Sequence, residues 1–137
     1  MRSVSDVLAR YDRLVEVGVG RRTDLAATLA AAGHEVVVVD VSPPDPPPGV
    51  CAVHDDVFGR AAAVERARRA GRPPDLGPYA GADALYARRL PPELQRPALT
   101  VARAAGAPLL FTTLGGDPVV VAATPETVRE GTIHRAE

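Results

Sequence analysis

The stretch from Leu14 to Val41 restricts the fold more than any other part of the chain. It runs Leu14-Val15-Glu16-Val17-Gly18-Val19-Gly20-Arg21-Arg22-Thr23, continues through an Ala/Leu-rich segment, and closes on Gly33-His34-Glu35-Val36-Val37-Val38-Val39-Asp40. An apolar run ends in Gly-x-Gly, a helix-forming segment follows, and a second apolar run ends in an acid. That order is a βαβ unit whose first turn binds a ligand. The glycines allow a tight turn and let a ligand approach the backbone closely. Asp40 stands 22 residues after Gly18, where an acid ending the second strand accepts hydrogen bonds from ribose hydroxyls. A nucleotide-like ligand is therefore expected.

The rest of the chain extends the pattern. Val4, Val7, Leu8 and Tyr11 form one apolar stripe, predicting a helix over residues 3–13 with Ser3 and Asp6 at capping-box spacing. Strands are predicted at Leu14–Val17, Glu35–Val39, Val50–Val53, Ala82–Tyr86 and Pro108–Thr113. Between them fall a helix from near Thr23 to Gly33, a weakly amphipathic Ala/Arg helix over 58–70, and a helix with the stripe Leu94, Ala98, Val101, Ala102 and Ala105. Pro97 should sit in the first turn of that last helix or kink it. Five prolines between Pro43 and Pro48 can continue neither sheet nor helix and predict a stiff connector. Val119–Ala123 and Val128–His134 read as two final strands joined around Thr124-Pro125-Glu126. The expected fold is a single α/β domain over residues 1–137. It is a Rossmann-like three-layer αβα sandwich with a mostly parallel sheet and a C-terminal antiparallel hairpin.

Composition excludes several classes of function. With a formal net charge of −1, nothing favours nucleic acid or an anionic membrane surface electrostatically. All 16 basic residues are arginine, so no Schiff-base or P-loop lysine is possible. One cysteine permits neither an internal disulfide nor a cysteine-cluster metal site. Cys51 should be a small buried hydrophobe. His34, His54 and His134 lack metal-ligand spacing, so no metal is expected, and His34 should lie at the surface. No leader is evident, and no apolar run approaches the roughly 18 residues of a membrane span. A cytoplasmic protein is the expectation.

Glu16 discriminates among nucleotides. It stands two residues before Gly18, where a carboxylate would repel a pyrophosphate and favour a ligand carrying positive groups. Thr23 also replaces the third glycine of the dinucleotide fingerprint. The acid-x-Gly-x-Gly turn followed by Asp40 resembles the first two motifs of class I S-adenosylmethionine-dependent methyltransferases. Asp55-Asp56-Val57 is similar to their third acidic position. The resemblance implies Glu16, Gly18, Gly20, Asp40 and Asp56 as cofactor-binding residues, with Asp56 meeting the adenine amino group. Arg21, at the start of the helix, would face the methionine carboxylate, although a phosphate would account for it equally. Tyr86, Arg88, Arg89 and Glu93 fall where such enzymes keep substrate-facing groups. Tyr86, Arg89 and Glu93 are the catalytic candidates.

A second resemblance covers nearly the whole chain. Val15 to Arg22, Val39-Asp40-Val41, Asp55-Asp56-Val57 and the segment Tyr86-x-x-Arg89-Leu90-Pro91-Pro92-Glu93-Leu94-Gln95 are similar to the hallmarks of a small archaeal family, uncharacterised protein family 0146. That resemblance implies a methyltransferase-like fold and no assigned reaction. Together the residues point to a domain that binds S-adenosylmethionine or a related adenosine nucleoside, with methyl transfer to an unassigned acceptor as the candidate activity. The alternative is a non-catalytic nucleotide-binding or regulatory module acting through a partner or as a homo-oligomer. An NAD-binding domain is disfavoured by Glu16 and Thr23.

Overall fold

The computed structural model describes residues 1–137. Seven strands form one sheet: β1 (Arg13–Val17), β2 (Glu35–Asp40), β3 (Val50–His54), β4 (Ala84–Ala87), β5 (Leu109–Phe111), β6 (Thr124–Val128) and β7 (Gly131–Ala136). Their order is β3-β2-β1-β4-β5-β7-β6. The first five are mutually parallel, and β7 runs antiparallel to both β5 and β6. The expected mostly parallel α/β sheet with a terminal antiparallel pair is present.

Helices cover both faces. α1 (Val4–Leu8) and α2 (Asp24–Ala31) pack on one, and α3 (Val57–Arg69) and α4 (Pro92–Ala104) on the other. This explains the four consecutive valines of β2: Val36 and Val38 point into the α1/α2 core, Val37 and Val39 into the α3/α4 core, and all four are buried. A half-exposed strand would have needed alternation. Each buried Val or Leu side chain contributes on the order of 1.5–3 kcal/mol.

α1 carries the complete capping box, Asp6 N–H donating to Ser3 Oγ and Ser3 N–H to Asp6 Oδ2. It ends at Leu8, well short of residue 13. The chain must turn before β1 begins at Arg13, and Arg10 and Tyr11 donate to carbonyls three residues back to make that turn. Gly33, with φ of 98°, is the left-handed stop after α2.

Three expectations are corrected. Cys51 is exposed, because β3 is an outer strand with a neighbour on one side only. Pro97 lies in the second turn of α4, since the helix starts at Pro92, and the helix runs on to Ala104. The terminal hairpin is also shifted. Thr124-Pro125-Glu126 is part of β6, and the turn is Arg129-Glu130, with Val128 opposite Gly131. Pro125 is tolerated because β6 is the sheet edge, where a missing N–H need not leave a partner unpaired. Val119–Ala123 is not a strand. The fully buried Gln95 carboxamide holds this segment, donating from Nε2 to Pro118 O at 3.0 Å and accepting from Val120 N–H at 2.7 Å. Val121 and Ala123 then pack against the α3/α4 core.

Candidate functional site

In a sheet of this order the chain crosses to opposite sides at β1 and β4, and ligands bind beyond the carboxyl ends of the strands flanking that point. β1 opens there into Gly18-Val19-Gly20. Gly18 and Gly20 have φ of 66° and 60°, a region costing other L-residues about 1–2 kcal/mol. The loop is fastened to the end of β2, because Gly18 and Val19 both donate to Val39 O, at 2.9 and 3.2 Å. Asp40 completes the fastening. Its Oδ2 accepts from Gly20 N–H at 2.8 Å, and its Oδ1 from Ser42 N–H at 2.9 Å. Two further lone-pair directions on this carboxylate stay open to a ligand.

Glu16 lies beneath this loop. Strand register sets it beside Val38 on one flank and Tyr86 on the other, on the α1/α2 face. It is 2% exposed, and its Oε1 has no hydrogen-bond partner. Arg88 Nη2 approaches its Oε2 at 3.8 Å. Burial raises the Glu16 carboxyl from 4.5 to about 7, against the lowering influence of Tyr86 and Arg88. Tyr86 is equally buried, and its hydroxyl lies close to Glu16 without completing a hydrogen bond. Burial and the Glu16 charge both push that phenol above its ordinary value.

Arg88 braces the site. It grips Asp24 with two hydrogen bonds of 3.1 and 3.3 Å and donates to Arg22 O at 2.8 Å. Those bonds tie the end of β4 to the start of α2. They also hold the Asp24 carboxyl below its usual range. Burial opposes the Arg88 charge, and the hydrogen bonds to Asp24 together with the negative charges of Glu16 and Asp24 more than offset it.

The remaining candidates separate into groups. Asp56 caps α3, accepting from Phe58 N–H at 3.0 Å. Asp55 accepts from Arg60 Nη2 at 2.7 Å. Arg21 is exposed beside the glycine loop. Of the catalytic candidates, Tyr86 is interior and Glu93 is an exposed residue in the first turn of α4. Arg89 lines a polar cleft with Arg88 and Thr112. These three are therefore not gathered into one constellation. His34 is half-buried, with Nδ1 hydrogen-bonded to Tyr11 O at 2.7 Å. The bracing by Arg88 and Asp24 was not legible in the sequence, since it depends on the register between β1 and β4. Two apolar side chains also stand at the strand ends: Val41, after β2, is 61% exposed and Phe58, after β3, is 54% exposed. No helix is long and apolar enough to cross a membrane.

The chain is similar to a set of archaeal proteins along nearly its whole length. The family model described as "Uncharacterised protein family (UPF0146)" matches residues 1–134. A UPF0146 protein of Halobacterium salinarum is 43% identical over 135 residues, covering 98% of this chain and 94% of its own. One from Archaeoglobus fulgidus is 36% identical over 119 residues, with 85% and 81% covered. One from Pyrococcus horikoshii is 32% identical over 124 residues, with 85% and 84% covered. A match along nearly the full chain, with the glycine loop, Asp40 and the Arg88–Gln95 segment all inside it, means that this protein belongs to the uncharacterised protein family UPF0146.

Proposed function

We propose that the protein is a Rossmann-like domain that binds S-adenosylmethionine or a related adenosine nucleoside, with methyl transfer as its candidate reaction. The observation that carries this is Glu16: a buried carboxylate with an unpartnered oxygen under a left-handed Gly-x-Gly loop. An ammonium or sulfonium would supply the positive partner that Arg88, at 3.8 Å and committed to Asp24, supplies weakly. Pyrophosphate would meet repulsion instead, which disfavours NAD. The strand order with the β1/β4 switch point supports a nucleotide crevice at this edge. In that crevice Asp40 would take the ribose hydroxyls. Asp56 and the exposed faces of Val41 and Phe58 would border the adenine.

Calorimetric titration with S-adenosylmethionine, S-adenosylhomocysteine and NAD in parallel tests this directly. Binding of the first two alone is expected, and a preference for NAD would overturn the assignment of Glu16. Asp40→Ala should weaken nucleoside binding by about 1–3 kcal/mol through loss of a charged hydrogen-bond partner. An unchanged affinity would remove Asp40 from the ribose site. Phe58→Ala separates binding from folding. The ring is half-exposed, so its loss should barely move the melting temperature, yet it should weaken nucleoside binding by about 1 kcal/mol if the ring stacks on the base. Equal affinity for wild type and variant would place the adenine elsewhere.

A second reading has its own observation. Because Tyr86 is interior and Glu93 lies apart from the cleft, the chain would serve as a nucleoside-binding regulatory module without chemistry. Ligand binding with no methyl transfer to any acceptor, in the presence of the protein's cellular partners, favours it.

A further inference from the structure

Next to the switch point, on the side away from Asp40, a cleft of about 760 Å³ opens between the start of α2, the ends of β4 and β5, and the β6–β7 turn. Its lining is polar, with Val4 and Leu25 the two apolar members. Three arginines face it: Arg22, Arg88 and Arg89. The two acids in the lining are already engaged. Asp24 is gripped by Arg88, and Glu130 Oε1 accepts from Val4 N–H at 3.0 Å. Arg22 and Arg89 form no salt bridge, which leaves two guanidinium groups at one cleft that are not committed to a carboxylate.

The backbone at Arg89 is the second observation. It is the one non-glycine residue with positive φ, at 54°. That conformation is strained and persists where its surroundings enforce it. Here Thr112 does so: its Oγ1 accepts from Arg89 N–H at 3.0 Å, and its carbonyl accepts from Leu90 N–H at 2.9 Å. A glycine would have met the same backbone demand without strain, so the arginine side chain is kept at a position whose conformation disfavours it. Thr113 adds a further hydroxyl to the same wall.

We infer that this cleft is an oxyanion site for the phosphoryl group of a phosphomonoester, held by Arg22 and Arg89 with the hydroxyl of Thr113 as an added donor. Two planar guanidinium forks match a doubly charged tetrahedral oxyanion in both charge and donor geometry. In the nucleoside-binding function proposed above, the phosphorylated molecule is the second substrate, and that role rests on that function. The anion site itself stands on the cleft alone.

Inorganic phosphate is the probe. Titrated into 15N-labelled protein at ionic strength held constant with chloride, it should give saturable shifts at the Arg89, Leu90, Thr112 and Thr113 amides. Arg89→Gly takes the same φ freely, so its melting temperature should equal or exceed that of the wild type while its phosphate affinity falls at least about tenfold. Arg89→Lys should lie between, because a point charge replaces a fork. Unchanged phosphate affinity in Arg89→Gly, shifts confined to Gly18–Arg21, or shifts that never saturate would each overturn the site. A parallel titration with S-adenosylhomocysteine keeps the two proposals apart. If that ligand fails to shift the Gly20 and Asp40 amides while phosphate still binds, the nucleoside site falls and the oxyanion site remains.

Discussion

Replacing Glu16 with Gln is expected to leave stability nearly unchanged in mild acid and to raise it by about 3.5 kcal/mol above neutral pH. Burial lifts the Glu16 carboxyl to about 7 in the folded chain, against 4.5 when solvated. Between these values the folded state holds more protons than the unfolded one, so wild-type stability falls as pH rises through the window and levels off above it. Each pKa unit corresponds to about 1.4 kcal/mol, and a difference of roughly 2.5 units yields the stated figure. Gln keeps the shape and removes the titration. Urea midpoints of both proteins at about pH 5 and pH 8 measure the difference. Parallel curves at the two pH values would mean that Glu16 is ionised and satisfied throughout, removing the basis for a cationic ligand at that carboxylate. Bound S-adenosylmethionine should abolish the wild-type pH dependence, since a positive group beside Oε1 returns the carboxyl toward its ordinary range.

Gln95→Leu should destabilise the protein by about 2–3 kcal/mol, with the damage concentrated in one segment. The substitution preserves volume and apolar packing. It removes the two hydrogen bonds that hold Pro118 and Val120, and it leaves the Val120 N–H and the Pro118 carbonyl without their partner. Amide hydrogen exchange should accelerate at Val119–Val121 well before it changes in β1 or β2, whose apolar side chains are buried on both faces of the sheet. Uniform acceleration across the sheet would show that Gln95 stabilises the core as a whole and not this segment. Gln95 thus has a structural task, which is to replace the ladder bonds that a strand at Val119–Ala123 would have made.

The layered α/β fold was legible because its signals are local. Four valines in a row, glycines bounding an Ala/Leu helix and a proline-dense connector each depend on near neighbours in the chain. Cys51 failed as a core prediction because position within the sheet, outer or central, is a long-range property. The hairpin was misplaced for a related reason: Pro125 breaks a central strand but is compatible with an edge, and only the sheet order shows that β6 is one.

The candidate site divides the same way. That Glu16, Gly18, Gly20 and Asp40 lie together follows from their spacing, since a βαβ unit brings its own first turn and second strand end together. Arg88 could not be given its role that way, being 72 residues from Glu16 and brought to it by the pairing of Glu16 with Tyr86. The sequence by itself therefore determined the βαβ core, the left-handed glycine turn and the absence of lysine chemistry, because these follow from residue type and short-range geometry. Tertiary structure alone decided that Glu16 is buried with an unpartnered oxygen, that Arg88 is shared between Asp24 and Glu16, and that Arg22 and Arg89 face one cleft. Burial and charge pairing are set by which distant segments pack together, and no local pattern encodes that.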